Sequence, residues 1–154
     1  MQFTRFSALV ALMLMAGLVQ AEARVEGEVE YGLFISQYQD LKPGERVLTQ
    51  NQQPIERGEL IPAKLGSKFG LRYRLSGKTA DGPPLTLLYL TPGVTTPDGN
   101  RHDKFVVVQK LVPDADQDTM AFEFTEPYEI VPGEWRFLVF QEDRKLVEQR
   151  FMVR

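Results

Sequence analysis

Three aspartates in the stretch DADQDT alternate as the first ligands of a calcium loop do. Asp114, Asp116 and Asp118 stand two residues apart, and carboxylate oxygens are ligands that Ca²⁺ prefers. The rest of the pattern is missing, because Thr119 stands where the sharp turn needs glycine and Thr125 stands where the last ligand should be glutamate. The three aspartates are therefore weak metal candidates, and the simpler interpretation is a polar loop whose aspartates stabilise its turns.

A serine-hydrolase centre would need His102 beside a serine and an orienting carboxylate. Beyond the N-terminal segment the serines are Ser36, Ser67 and Ser76, and none stands in a nucleophile-elbow motif. The chain has one histidine and no cysteine, so it cannot complete a closed zinc site of nitrogen and sulfur ligands. We therefore expect a protein that is not an enzyme, with no catalytic residues and no cofactor.

The charge of the chain points away from nucleic acid. The formal net charge is -3, whereas nucleic-acid binding depends on basic surfaces that neutralise phosphates. Basic residues alternate along one segment, and glutamates alternate along another: Lys68, Arg72 and Arg74, and Glu26, Glu28 and Glu30. We expect these two stripes to pair across neighbouring strands.

The elements that carry these residues are predicted to be strands. Most of the chain alternates apolar and polar residues with period two, as in KFGLRYRLSG, where Phe69, Leu71, Tyr73 and Leu75 share one face. The segments LTLLYLT and KFVVVQKLV are apolar on both faces and are interpreted as central strands. Turns rich in glycine and proline separate about seven strands, which predicts an all-β, two-sheet antiparallel sandwich of immunoglobulin type. A small barrel is the alternative.

A long polar segment at residues 37–66 interrupts this pattern. Its only strand candidates are short, at residues 46–49 and 59–61. A connection of this length is unusual inside a compact domain. The segment is interpreted either as a cover flap or as extra strands that divide the pairing between the two sheets.

The N-terminus is typical of a secretory signal peptide. Residues 6–19 form an apolar run after Arg5, and small-x-small sites follow that end at Ala21 and Ala23. The run is shorter than the about 20 residues that span a bilayer. We expect a signal peptide over residues 1–23, cleaved after Ala21 or Ala23, and a single sandwich domain over residues 24–154. The protein is then periplasmic or secreted, without a membrane anchor.

Three pieces of the chain resemble a family of short exported bacterial proteins known as a domain of unknown function. They are EYGLF near the start, IPAKLGSKFGLRYRLSG in the middle, and VPGEWRFLVF with FMV at the end. The resemblance implies a β-sandwich fold and a periplasmic setting. It implies no activity and no functional residue.

The segment VPGEWRFLVFQEDRKLVEQRFMVR predicts a closing hairpin. An odd-length loop centred on Asp143 opposes Val139 to Val147 and Trp135 to Phe151. A slip of one residue would exchange the two faces, so the apolar pattern selects this register. We therefore expect Trp135 to be buried.

The opposite face of this hairpin is predicted to carry three apolar residues, Leu138, Phe140 and Leu146, beside charged ones. Apolar patches rimmed by charge are typical contact sites. Either residues 37–66 cover them, or a partner does, which is an envelope protein or a second copy of the chain. The resulting hypothesis is a noncatalytic protein-binding or structural module of the bacterial envelope. The alternative is a ligand- or calcium-binding periplasmic module that uses the loop of residues 114–118.

Overall fold

The structure, a computed structural model, describes residues 22–35 and 53–154. The signal peptide predicted over residues 1–23 lies outside this part of the chain except for its last two residues, and the strand candidate at 46–49 lies outside it altogether. Across the two described ranges, no helix is long and apolar enough to cross a membrane.

The described residues form nine strands and one short 3-10 helix. The strands are β1 (Arg24–Phe34), β2 (Ile55–Arg57), β3 (Leu60–Ile61), β4 (Lys68–Ser76), β5 (Leu85–Thr95), β6 (Arg101–Gln109), β7 (Asp118–Glu123), β8 (Gly133–Gln141) and β9 (Arg144–Val153). The 3-10 helix, Pro127–Glu129, lies between β7 and β8. The seven longer strands are those that the alternating pattern predicts.

The strands form two sheets, and the predicted two-sheet architecture is confirmed. One sheet has the order β2-β1-β4-β7 and the other has the order β3-β9-β8-β5-β6. Neighbours are antiparallel, except that β3 runs parallel to β9. The sheets bury their facing sides against each other, as alternation along each strand requires.

The polar segment at residues 37–66 contributes strands to both sheets, as far as the structure describes it. Ile55–Arg57 pairs with β1 in one sheet, and Leu60–Ile61 pairs with β9 in the other. The strand predicted at residues 59–61 is thus confirmed as Leu60–Ile61, whereas Ile55–Arg57 was not predicted. Residues 53–66 therefore pair at one edge of each sheet, which agrees with divided pairing, whereas residues 37–52, on which the cover flap was also predicted, lie outside the described residues.

Aromatic rings fill the centre between the sheets. Phe69 on β4 lies 5.1 Å from Phe137, 5.3 Å from Phe151 and 5.7 Å from Trp135 between ring centroids. These four side chains are at most 1% exposed. Stacked and edge-on ring pairs at such distances add to the stabilisation that apolar burial provides. The predicted burial of Trp135 and of its face of β8 is confirmed.

The closing hairpin has the predicted register but reaches it differently. Val139 is opposite Val147, and Trp135 is opposite Phe151, as expected. The turn, however, is a two-residue one at Glu142 and Asp143, where Glu142 has a left-handed φ of 54°. The odd-length loop was a wrong prediction, because a β-bulge after Lys145 supplies the extra residue that shifts the register.

Candidate protein-binding face

The outward side of the five-stranded sheet carries the predicted contact residues. Phe137 and Val139 enter the core, so Arg136, Leu138 and Phe140 on the same strand face outward. Pairing across the sheet places them in rows with outward residues of the neighbouring strands. One row is Glu148, Leu138, Leu88 and Val106, and the next is Lys145, Phe140, Thr86 and Val108.

We use the term outer apolar face for the five apolar residues of these two rows: Leu88, Leu138, Phe140, Val106 and Val108. Leu138 lies at the centre and keeps only 6% exposure. Leu88 and Phe140 are half-buried, and Val106 and Val108 are 54% and 67% exposed. Most of the apolar surface offered to water therefore lies on Phe140 and the two valines rather than on Leu138.

The prediction that Leu146 shares this face is wrong. Leu146 is the extra residue of the bulge, since Lys145 is opposite Phe140 and Val147 is opposite Val139. The bulge redirects its side chain, which packs against the core cluster. Of the three predicted contact residues, only Leu138 and Phe140 lie together on the outward side.

Strand β6 is an edge of its sheet, and its interpretation as a central strand is wrong. Within residues 22–35 and 53–154, it pairs with β5 alone. Val106, Val107 and Val108, which we call the valine edge, are 54%, 47% and 67% exposed. The sequence does contain a signal that was missed: Lys104 and Asp103 place charges on both faces of this strand, which is common in edge strands and rare in central ones.

Ion pairs border the outer apolar face. Glu148, beside Leu138 in register, accepts hydrogen bonds from Lys145 Nζ at 2.6 Å and Arg136 Nε at 3.1 Å. These two hydrogen bonds, of which the one from Lys145 has the larger effect, lower the pKa of Glu148 to about 2. The carboxylate therefore stays ionised at neutral pH. It gives this face a fixed charged rim at the edge of its apolar centre.

The loop of residues 114–118 does not bring its three carboxylates together. Asp118 begins β7, and its side chain is 5% exposed; its Oδ2 lies 3.2 Å from the Lys78 Nζ, which also donates to the Ala115 carbonyl at 2.6 Å. Asp114 and Asp116 are exposed. Among residues 22–35 and 53–154, no group of three or more acidic, histidine or cysteine side chains is placed to hold a metal ion. Asp118 serves instead as the buried partner of Lys78.

His102 lies in β6. Its ring stacks on Phe105 with centroids 5.4 Å apart, and its Nε2 lies 3.2 Å from the Thr96 Oγ1. Ser67 donates to a backbone carbonyl, that of Pro62, at 2.9 Å. Ser76 lies 3.5 Å from the carbonyl of Arg24. Ser36 lies outside the described residues. The described serines are thus engaged with the backbone, away from the histidine.

The charged stripes pair across β1 and β4 at two positions, whereas Glu28 pairs with Arg57 on β2. Register places Glu30 opposite Arg72 and Glu26 opposite Arg74, and the Arg72 Nη1 lies 3.3 Å from Glu30. The Arg72 guanidinium also donates to the carbonyl of Gln53. Arg72 is only 8% exposed, and its contact with Gln53 anchors the segment that leads into β2. These contacts give the charged stripes a structural role in joining neighbouring strands.

The chain is similar over most of its length to a family model and to a solved structure. The model, described as a domain of unknown function (DUF3859), matches residues 22–153. The crystal structure of an immunoglobulin-like protein from Pseudomonas aeruginosa is 57% identical, with a TM-score of 0.76, and the match covers 88% of this chain and 99% of that one. The sandwich is therefore immunoglobulin-like, as the strand pattern predicts.

A second solved structure is similar to the chain only weakly. Pseudomonas fluorescens alkylpurine DNA glycosylase, solved with DNA containing an abasic site analog, is 17% identical. The match covers 62% of this chain and 28% of that chain, with a TM-score of 0.37. No curated protein matches the chain.

Proposed function

The chain belongs to this domain family of unknown function, and from that premise we propose that it is an exported, noncatalytic module that binds another protein of the bacterial envelope. The observation that carries the proposal is the outer apolar face, where Val106 and Val108 expose more than half of their surface in the same two rows as Leu138 and Phe140. Scattered exposed apolar residues are ordinary, whereas a contiguous group bordered by charge is typical of a contact surface.

The electrostatic rim suits a protein partner. Lys145, Glu148 and Arg136 form one connected group beside Leu138 and Phe140. Exposed rim charges add little affinity, but they orient a partner and raise the rate of correct encounters. The apolar centre supplies the stabilisation through burial, at about 25 cal/mol per Å² of apolar surface. No specific observation in the structure favours the calcium alternative, because Asp118 is bound to Lys78.

Phe140→Glu is expected to abolish capture of the partner while leaving the fold intact. The change places a charge in the outer apolar face, where a bound protein would have to desolvate it. The measurement is a crosslinking pull-down from periplasmic extract, with the captured protein then purified and tested for direct binding. Thermal melting of the variant shows whether the fold survives.

Tyr128→Glu is the matched control, because Tyr128 is an exposed aromatic residue, 39% exposed, in the 3-10 helix outside this face. The same protein should be captured by the wild type and by Tyr128→Glu and lost with Phe140→Glu. Equal capture by all three proteins would contradict the proposed face.

The contacts of Ala23, just before β1, distinguish the two predicted cleavage sites. Ala23 is fully buried; its backbone N–H donates to the Gln141 Oε1 at 2.9 Å, and its carbonyl accepts from the Arg144 Nη2 at 2.7 Å. Cleavage after Ala23 would remove these contacts and leave Gln141, which is 4% exposed, without one partner. Of the two predicted sites, cleavage after Ala21 preserves them.

The exported protein is therefore expected to begin at Glu22. Intact mass and N-terminal sequencing of the protein from the periplasm or medium give the answer directly. A mature chain that begins at Arg24 would contradict the choice of site, and one that retains Met1 would contradict export by cleavage. A chain engineered to begin at Arg24 should also melt at a lower temperature than one that begins at Glu22.

A further inference from the structure

Among the described residues, no strand pairs with the outer side of β6, the strand that carries the valine edge. The β5–β6 register is regular from Lys104 to Gln109, since its one irregularity lies toward the other end, between Leu90 and Val94. Arg101–Gln109 contains no proline. Its free N–H and C=O groups thus form a straight template for another strand, the feature that natural edges usually avoid.

The other edges in the described part of the chain lack this combination. The edge strands β2 and β3 have three and two residues. Strand β7 has six residues, but the ones that it exposes are Thr119 and Glu123. Among these four edge strands, only β6 is both long and exposed through apolar side chains on its two faces. Val107 lies on the inward side, and Val106 and Val108 lie on the outward side.

A strand that fills this edge must present apolar side chains on both faces as well, and β6 of a second copy does so. In a two-fold antiparallel pair, opposite residues share a face, so the axis must pass through a residue rather than between two. With the axis at Val106, Val106 is opposite itself and Phe105 is opposite Val107. Pairs of an aromatic and a β-branched residue are among the favourable cross-strand pairs.

The two neighbouring registers are worse. An axis at Val107 sets Lys104 opposite Lys110, and like charges directly opposite destabilise a sheet. An axis at Phe105 sets two charged residues opposite valines, Lys104 opposite Val106 and Asp103 opposite Val107, whereas the axis at Val106 sets one, Lys104, opposite Val108. The pattern of apolar and charged residues along β6 therefore selects the axis at Val106.

We propose that two copies of this chain associate through β6, antiparallel about a two-fold axis at Val106, and form one continuous ten-stranded sheet. The association is isologous, so it closes as a dimer and does not propagate into fibres. It also joins the two outer apolar faces, because the row of Leu138, Leu88 and Val106 continues into its symmetry copy. The inference goes beyond the proposed envelope partner and does not depend on it.

Single cysteines test the axis, because the natural chain contains none. With Val106→Cys, the two sulfur atoms belong to directly opposite residues, whose Cα atoms lie about 4.5–5.5 Å apart in an antiparallel pair. That distance suits a disulfide. With Val108→Cys, each cysteine is opposite Lys104 of the other copy, so the two are four residues out of register, about 13 Å apart.

Val106→Cys is expected to form disulfide dimers at least tenfold faster than Val108→Cys under the same mild oxidant. Random collisions would give the reverse order, because Val108 is the more exposed residue, at 67% against 54%. Equal rates, or faster crosslinking of Val108→Cys, would overturn the proposed axis.

Sedimentation velocity over a concentration series tests the dimer without crosslinks. The wild type is expected to dimerise, and Val106→Lys is expected to weaken dimerisation at least tenfold, because it sets two lysines opposite each other. Val112→Lys is the control, since Val112 is 50% exposed but lies outside β6. A wild type that stays monomeric at every concentration would overturn the inference. The capture experiment with Phe140→Glu would still decide the envelope partner separately.

Discussion

Lys78→Met is expected to lower the free energy of unfolding by about 3–5 kcal/mol, because it leaves the Asp118 carboxylate buried without its partner. Both side chains of this ion pair are 5% exposed, and the Lys78 Nζ lies 3.2 Å from the Asp118 Oδ2. Methionine keeps most of the volume of lysine but removes the donor to Asp118 and to the Ala115 carbonyl. Urea denaturation followed by circular dichroism measures the loss.

The double variant Lys78→Met/Asp118→Leu separates the cost of a lone buried charge from the value of the pair itself. Replacing both members of a buried ion pair with apolar residues is often close to neutral. The double variant should therefore recover most of the stability that Lys78→Met loses, which appears as a coupling energy in the double-mutant cycle. Lys110→Met, at an exposed lysine, should change stability by no more than about 0.5 kcal/mol. A loss of that small size for Lys78→Met would show that the pair is open to water.

The core could be predicted from the sequence because strand geometry is local. Alternation with period two states which residues share a face, and the longest apolar face of each segment must enter the core. Phe69, Leu71 and Tyr73 on β4 and Trp135 on β8 are all buried as this rule requires. The same rule identified Leu138 and Phe140 as outward-facing, since their neighbours Phe137 and Val139 face inward.

The status of β6 could not be predicted in the same way, because it depends on which strand lies next to it. A central strand and an edge strand can both contain a run such as Val106, Val107 and Val108. The difference arises from the order β3-β9-β8-β5-β6, which joins residues far apart in the chain. Only the charges at Asp103 and Lys104 hinted at an edge.

Two further features could not be predicted from the sequence for related reasons: the Lys78–Asp118 pair and the position of Leu146. Lys78 lies in the turn after β4, and its partner begins β7, so their contact requires the folded sandwich. In the closing hairpin, the apolar pattern determined the register, but two turn geometries satisfy it. The protein uses a bulge after Lys145, which turns Leu146 from the outward side so that it packs, partly buried, against the core cluster.

Trp135→Ala is expected to lower the free energy of unfolding by about 3–5 kcal/mol, the range found for large aromatic residues removed from packed cores. Trp135 is fully buried, and its ring lies 5.2 Å from Phe122, 5.6 Å from Phe124 and 5.7 Å from Phe69 between centroids. Rings carried by β4, by β7 and by the residue that follows β7 thus line the space that the substitution would empty, and the surrounding backbone is held by strand pairing. The cavity can collapse only in part, so its cost adds to the lost burial.

Trp135→Phe tests how this cost is divided between packing and hydrogen bonding. Phenylalanine retains a ring in the cluster but cannot replace the indole Nε1–H, which donates to the Val131 carbonyl at 2.9 Å. We therefore expect an intermediate loss that includes about 1–3 kcal/mol for the unsatisfied carbonyl, provided that water does not reach it. Trp135 is the only tryptophan, so unfolding of both variants must be followed by circular dichroism rather than by fluorescence. Tyr128→Ala, at an exposed ring, should stay within about 0.5 kcal/mol of the wild type. A loss below about 1 kcal/mol for Trp135→Ala would place Trp135 among surface positions and contradict the assignment of the inward face of β8.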